Sequence, residues 1–374
     1  MGDARVSDTP DGPARRYASL TRRLAILAIG LDLAYLITVV AAGLARTWAD
    51  RLTSCTPWPW AVALYVAGLA LPWTVALLPL DWARGFWIEH RFALSRESAR
   101  QWIWRWGKLQ LLGGLLLLAG AEGVAWALRT HPATWWLWMA AASLAWSIVL
   151  TQWMPVVLLP LFYRQRPLAD AALTARLRTL AQAAGTSVSG AYEIDLSRET
   201  SKANACLCGL GTTRRILVTD TLTRAYTPDE IAAIFAHELG HHRLRHLPRG
   251  LGLDAAWTVV SCGLVGQGLP RGLARLGIVS ASSLAVLPVV ALALSVLDLV
   301  WMPVRNGISR RWERAADHFA LELTRAPQAF IAAMRKLQQQ NLAEAAPPKW
   351  VEWFWYDHPP IAERIAMAEQ GAHA

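Results

Sequence analysis

Along this 374-residue chain, long apolar runs alternate with polar segments rich in arginine. Six runs have the roughly 20 mostly apolar residues that a helix needs to cross about 30 Å of hydrocarbon. They are 24–45, 58–80, 109–128, 134–161, 251–269 and 276–304. The first follows Arg22 and Arg23 without a small-residue cleavage site, so it reads as a retained span and not a signal peptide. Between the fourth and fifth runs the texture changes. Residues 170–185 combine a leading Asp, helical apolar spacing and a Gly stop, the pattern of a surface helix. Three short runs, 191–196, 204–209 and 214–219, read as strands, with "LGTT" (210–213) as the hairpin turn between the last two.

The segment "TPDEIAAIFAHELGHHRLRH" carries strong helix-start signals: Thr227 as N-cap, Pro228 at the first helical position and Glu230 three residues after the cap. Its pattern predicts a helix to about Leu247, where Pro248 and Gly250 interrupt it. After the sixth run, "RNGISRRWERAADHFALELTR" continues as a helix and "PQAFIAAMRKLQQQNLAEA" forms another. The implied organisation is a four-span membrane region with a polar loop at 81–108 (1–162), a polar part with sheet and helix (163–250), two spans (251–304) and a C-terminal polar part (305–374).

Composition supports this picture. With 54% apolar residues, 21 tryptophans and only 17% charged residues, the chain belongs with membrane proteins and not with multidomain soluble ones. Trp58, Trp60, Trp102 and Trp135 sit near span ends, as interfacial anchors do. Lysine and arginine number 5, 6, 12 and 9 in segments 1–23, 81–108, 162–250 and 305–374, against 2, 1 and 2 in 46–57, 129–133 and 270–275. Positive loops resist translocation, so both termini and the His-rich helix are expected on the cytoplasmic side. That bias, with attraction to the lipid bilayer, accounts for the +10 net charge, and no nucleic-acid partner is inferred. Cys206 and Cys208 are one residue apart on the reducing side, so they read, with Cys55 and Cys262, as packing cysteines and not as a disulfide or zinc ribbon.

The candidate chemistry lies in "HELGHHRLRH" (237–246). His237 and His241 are four apart on one helix, so both rings can reach one zinc ion. Glu238 is placed to act as general base. A hydrolytic zinc needs a third protein ligand, and "ERAAD" offers Glu313 and Asp317. We assign Glu313 as that ligand and Asp317 as the acceptor that orients a ligand histidine. Without the histidine motif upstream, these carboxylates would instead read as a solvated face paired with Arg310, Arg311 and Arg314. His242, rotated by about 100°, leaves the metal face. His246 lies beyond the ligand pair, and both read as bystanders among arginines. Gly240 costs the helix about 1 kcal/mol and is expected to admit a close-packed neighbour.

These segments together resemble the Ste24-type CAAX prenyl protease 1 family (M48), integral-membrane zinc metallopeptidases. The resemblance rests on "FWIEHRFALSRES" (86–98), "SKANACLCGLGTTRRILVTDTL" (201–222), "HELGH" (237–241), "NGISRRWERAADHFAL" (306–321) and "HPPIAERI" (358–365), in family order. It implies one Zn2+ held by His237, His241 and Glu313, with Glu238 as catalytic base and Asn204 and His358 beside the substrate and the developing oxyanion. A short apolar strand near the metal suits pairing with an extended peptide, and Asn or His donors suit an oxyanion. Without the resemblance, Asn204 reads as a strand-end residue and His358 as a helix-entry residue. Arg364 is a substrate-carboxylate or structural partner.

The fold implied is mainly α: a polytopic membrane helical bundle of about six spans with a cytoplasmic zincin-like metallopeptidase domain containing a small β-sheet. The absence of an extra N-terminal span and of an ER-retention signal points to a compact bacterial-type member in the inner membrane. Cys206 stands where the family usually has an aromatic residue, and Ala93 where it usually has glycine, so the groove is expected to differ in shape. The function implied is hydrolysis of peptide or protein substrates, lipidated in the family's CAAX reaction, at the cytoplasmic membrane face. Alternatives are a membrane-protein quality-control protease and, from another class, a non-catalytic membrane scaffold or transporter. Asp32, Glu122 and Asp298 fall inside spans, where an ionised group costs at least about 2.5 kcal/mol. They either line the family's water-filled chamber or are locally paired.

Overall fold

The structure, a computed structural model, describes residues 12–371 apart from 59, 154–156, 158, 187 and 209–213. The expected turn at 210–213 lies outside the described residues. In chain order the elements are α1 (Gly12–Ala41), α2 (Leu44–Cys55), α3 (Trp60–Trp82), a π-helical turn (Ala83–Trp87), α4 (Ile88–Arg91), α5 (Ala99–Thr130), α6 (Trp135–Trp153) and α7 (Leu159–Phe162). There follow β1 (Gln165–Pro167), α8 (Ala171–Ala183), β2 (Ala191–Ile194), β3 (Ala205–Cys208), β4 (Arg215–Thr219), α9 (Asp220–Ala225) and α10 (Pro228–Arg243). The last are α11 (His246–Arg275), α12 (Val286–Thr324), α13 (Pro327–Asn341), α14 (Lys349–Trp355) and α15 (Ile361–Gly371).

Among the described residues four helical stretches are long and apolar enough to cross a membrane: α1, α3 through α4, α5 and α12. Residues Trp135–Thr151 of α6 form a shorter apolar helix. The 30-residue α11 packs along α6, with Asp254 and Gln267 interrupting its apolar run. The sixth apolar run differs from expectation, because α12 begins at Val286 and not near 276. Gly277 at φ +65 and the Ser-rich stretch after it form turns there, although small residues keep the hydropathy high. A second difference is α2, an amphipathic helix in a segment read as loop, which buries Ala45, Ala49 and Leu52.

Among the described residues, most buried apolar side chains gather in two separate cores. One ties together the helix ends far from the sheet and includes Val39, Tyr65, Leu128, Leu284 and Val286. The other joins α8, the sheet, α10, α13 and α15 through Leu177, Ile216, Phe235, Leu239, Phe330 and Met334. Between them, at most 22% of any apolar span window is buried, so those helices present apolar surface outward, as a lipid-facing stretch must. Asp32 and Asp298 are locally paired: Trp73 Nε1 donates to Asp32 at 2.8 Å and Trp257 Nε1 to Asp298 at 2.7 Å.

The arginine-rich segments meet at one end of the molecule. Tyr17 donates to Glu89 at 2.5 Å, Lys202 Nζ donates to Tyr17 at 2.9 Å, and Arg22 reaches Glu344 at 3.4 Å. The 94–96 loop pairs with 199–201, through Arg96 N–H to the Glu199 carbonyl and Ser201 N–H to the Leu94 carbonyl, both at 2.9 Å. At the opposite end Arg46 donates to the Gly277 carbonyl and Arg129 lies over Trp58.

The sheet has strand order β1-β2-β4-β3, with β2 parallel to β4 and the outer pairs antiparallel. The three-residue β1, "QRP", carries no apolar alternation and was not foreseeable from pattern. β3 is an edge strand. Ala205 and Leu207 pack toward the core, so the period of two sends Asn204, Cys206 and Cys208 to the other face. On α10, Thr227 Oγ1 accepts from Glu230 N–H at 3.3 Å and Glu230 accepts from Thr227 N–H at 2.7 Å, a complete capping box. The helix ends at Arg243, earlier than Pro248 suggests. Pro248 is accommodated in the first turn of α11, where its missing N–H leaves no bond unmade.

Candidate active site

α10 and α12 cross at Gly240. A Cβ there would lie 2.9 Å from Ala316 Cα and 3.0 Å from its carbonyl oxygen, so only glycine permits this approach. The close crossing carries Glu313, on the adjacent turn of α12, up to His237 and His241. Glu313 Oε2 is 3.2 Å from His237 Nε2, and Oε1 is 3.2 Å from His241 Nε2. Potential ligand atoms of the three residues all lie within 4.8 Å of one another.

The outer nitrogens decide the tautomers. His237 Nδ1 is 2.7 Å from Asp317 Oδ1, and His241 Nδ1 is 2.9 Å from His246 Nδ1. With both protons on Nδ1, the two Nε2 atoms, 3.1 Å apart, aim lone pairs at each other and at a carboxylate. Glu313 Oε2 is buried and accepts no hydrogen bond. Two lone-pair nitrogens and an orphaned carboxylate oxygen repel one another unless a cation lies among them, so this donor set fits a metal ion.

Around these atoms the site is closed and charged. Asp317, fully buried, accepts two bonds from Arg364, at 2.8 Å from Nε and 2.5 Å from an Nη, and that Nη is also 3.4 Å from His237 Nδ1. Burial opposes a charge on His237, but the carboxylates of Asp317 and Glu313 prevail and raise its pKa to about 9, so a cation on Nε2, whether a proton or a metal ion, is favoured there. Desolvation pushes the Glu238 carboxyl up, against the pull of the two histidines.

His246 corrects the sequence reading. Instead of lying solvated among arginines it is 5% exposed, stacked on Trp312 at 5.3 Å, with its Nδ1 against Nδ1 of His241. The reason is Arg245, whose left-handed backbone (φ 57) reverses the chain and folds His246 back. Burial and the neighbouring His241 lower its pKa to about 4, leaving a neutral acceptor. The signal that could have found it is Trp312, an aromatic directly before Glu313. His242 points away and meets Thr186 at 3.0 Å.

A cleft of about 370 Å3 opens beside the three residues, with His237, Glu238, Asn204, His358 and Arg364 on its polar side and Ile234, Met334 and Leu337 among its apolar walls. Asn204 is held by its main chain, which exchanges hydrogen bonds with Thr219 at 3.0 Å, leaving the side chain exposed in the cleft. His358 Nε2 is 3.4 Å from Glu313 Oε1, and its Nδ1 is 2.8 Å from Asp357, a contact that raises the imidazole's pKa. α12 fixes this segment too: Arg310 donates to the Glu352 carbonyl at 2.8 Å and to that of Tyr356, and Asn306 to that of Phe354 at 2.6 Å. Of the predicted site residues, Asn204, His237, Glu238, His358 and Arg364 line this cleft, and His241, Glu313 and Asp317 adjoin it through their contacts with His237, with Arg364 engaged by Asp317.

Comparison with known proteins places this geometry. Residues 167–372 match peptidase family M48, and residues 13–164 match the CAAX prenyl protease N-terminal family, described as five membrane helices. The chain is 27% identical to the uncharacterized metalloprotease YhfN of Bacillus subtilis, over 96% of this chain and 86% of that one. It is 28% identical to a CAAX prenyl protease 1 homolog of Oryza sativa, over 82% and 72%. The crystal structure of Ste24p from S. mikatae superposes with a TM-score of 0.81, covering 96% of this chain and 89% of that one at 22% identity, and so has the same fold.

Proposed function

The chain belongs to peptidase family M48 and is a Ste24-like membrane metalloprotease, and from that premise we propose that it is a zinc endopeptidase working at the cytoplasmic membrane face of a bacterial cell. The observation that carries the zinc assignment is the convergence of two Nε2 lone pairs and the orphaned Glu313 oxygen, with both Nδ1 atoms already occupied. Bound there by His237, His241 and Glu313, zinc would polarise the scissile carbonyl and acidify water. Glu238, on the cleft wall with its carboxyl pushed up by desolvation, takes the proton of the attacking water and passes it to the leaving amine. Asn204 and His358 donate to the developing oxyanion, and the free edge of β3 pairs with an extended substrate. Asp317 orients His237, and Arg364 keeps Asp317 ionised and in place.

The arginine-rich segments collected at the sheet end support cytoplasmic orientation. The substrate class we assign is a peptide cleaved near its C-terminus, as in the CAAX proteases the chain resembles. The test is cleavage of a farnesylated CAAX peptide by the purified full chain and its Glu238→Gln variant, beside an unfolded membrane protein. We expect the farnesylated peptide to be cut and the variant to lose about 10²–10⁴-fold in rate while keeping its zinc. Equal rates in variant and wild type contradict the role of Glu238. Cleavage confined to the unfolded protein moves the substrate class to quality control.

A further inference from the structure

Two thiols stand side by side on the edge strand that flanks the cleft. Cys206 and Cys208 share the outward face of β3, and their sulfurs are 3.1 Å apart. Both are part-exposed, and Asn204 and Ala205, immediately before them, line the cleft. The Glu238 carboxylate is near enough to act electrostatically on both sulfurs. Cys55 lies on α2 and Cys262 on α11, so no other thiol shares this strand.

From this juxtaposition we infer that Cys206 and Cys208 form a redox-sensitive dithiol that a low-molecular-weight disulfide closes, switching β3 out of register for substrate. The inference rests on the proposed role of β3 as the substrate-pairing edge. An extended strand spaces alternate residues by about 6.7 Å, at the upper limit for a disulfide, whose Cα atoms favour about 5.5–6 Å. Closing the bond must therefore shorten the strand around Leu207. That disturbs the ladder Cys206↔Leu217, Leu207↔Ile216 and Cys208↔Arg215, and turns main-chain groups on the free edge away from an incoming peptide.

The chemistry balances with one small disulfide. Cys208 is the attacking sulfur: the hydrogen bond from Cys206 favours its thiolate, against desolvation and Glu238, with Arg215 assisting. Having released its proton to water, Cys208 attacks as the thiolate one sulfur of the small disulfide, breaking the S–S bond and expelling a thiolate that takes a proton back from water. Cys206 then gives up its proton and attacks Cys208 Sγ in the mixed disulfide, expelling the second thiolate, which takes that proton. Two cysteines are oxidised and one disulfide is reduced to two thiols.

The experiment treats the folded full-length protein with oxidised glutathione and reads two quantities, intact mass with peptide mapping and the rate of peptide cleavage. We expect the peptide bearing both cysteines to lose two hydrogens, and cleavage to fall about ten-fold, the equivalent of one lost main-chain hydrogen bond to substrate. Dithiothreitol should restore both. Cys206→Ser and Cys208→Ser should each show the same rate before and after oxidant, whatever that rate is, while Cys55→Ser stays sensitive. Absence of the internal disulfide by mass overturns the dithiol whether or not the protein cleaves peptides. A disulfide that forms without slowing cleavage overturns its coupling to substrate pairing. Loss of cleavage in the unoxidised wild type would instead count against the proposed peptidase reading, and the mass result still judges the dithiol.

Discussion

In the sheet-bearing part, Asp220 accepts from the Leu196 and Ser197 amides at 3.0 and 2.8 Å, from the Ser197 hydroxyl at 2.5 Å and from Arg224 at 2.9 Å. In the membrane part, Asp298 accepts from the Trp257 indole at 2.7 Å and Asp32 from that of Trp73 at 2.8 Å, one donor each among the described residues. The contrast extends to packing. The polar part closes around 0%-exposed Phe235, Leu239 and Asp317, whereas the spans bury little of themselves between their ends. One helix, α12, passes through both: Val296 and Val300 are exposed in its apolar stretch, and Arg310, Glu313 and Asp317 are buried in the next turns. Precision at the candidate active site is thus supplied by the peptidase part, in networks where each group has several partners. The membrane part acts as a frame whose contacts lie mainly at its two ends.

Substitutions in the two parts should therefore differ in cost. The largest effect is expected at the helix crossing. Gly240→Val drives branched atoms into the Ala316 backbone, which cannot yield as a side-chain tip would. Thermal unfolding should show a loss of about 1–3 kcal/mol or more, with weakened zinc retention because Glu313 moves with α12. Unchanged unfolding and zinc content would show that the crossing does not set the site. Next, Asp317→Asn should lower zinc affinity about 10–100-fold by competition with a chromogenic chelator, since His237 loses its ionised acceptor. An unaltered affinity would remove Asp317 from the account.

The comparison is sharpest in the paired carboxylates. Asp220→Asn should destabilise the protein by about 1.5–3 kcal/mol at neutral pH, against less than about 1 kcal/mol for Asp298→Asn. Although burial opposes it, the donors from Ser197, Leu196 and Arg224 hold the Asp220 pKa below its ordinary value. Its stabilisation is therefore present above the ordinary carboxylate range and fades as pH falls through the depressed folded value. Unfolding curves of wild type and Asp220→Asn should converge there. Equal costs at the two sites would erase the distinction between network and frame.

The sequence showed some of this directly and concealed the rest for physical reasons. His237, Glu238 and His241 are legible because helical periodicity fixes their relative directions, and the Thr227–Glu230 capping box because it is local. Glu313 and Asp317 are legible as a pair by the same periodicity, but their approach to α10 depends on a tertiary crossing. His246 is not legible, since its position turns on one left-handed residue, Arg245, of a type that rarely adopts it. The start of α12 is not legible, because Ser and Ala in 276–285 satisfy a hydropathy average while forming turns. β1 is too short and polar to leave a pattern, and its pairing with β2 is wholly tertiary.

Elemental analysis of the purified wild-type chain and of Glu313→Ala decides whether His237, His241 and Glu313 hold one zinc ion. One zinc per chain is expected in the wild type and nearly none in the variant. A zinc-free wild type, or a variant that retains the wild-type zinc content, would contradict it.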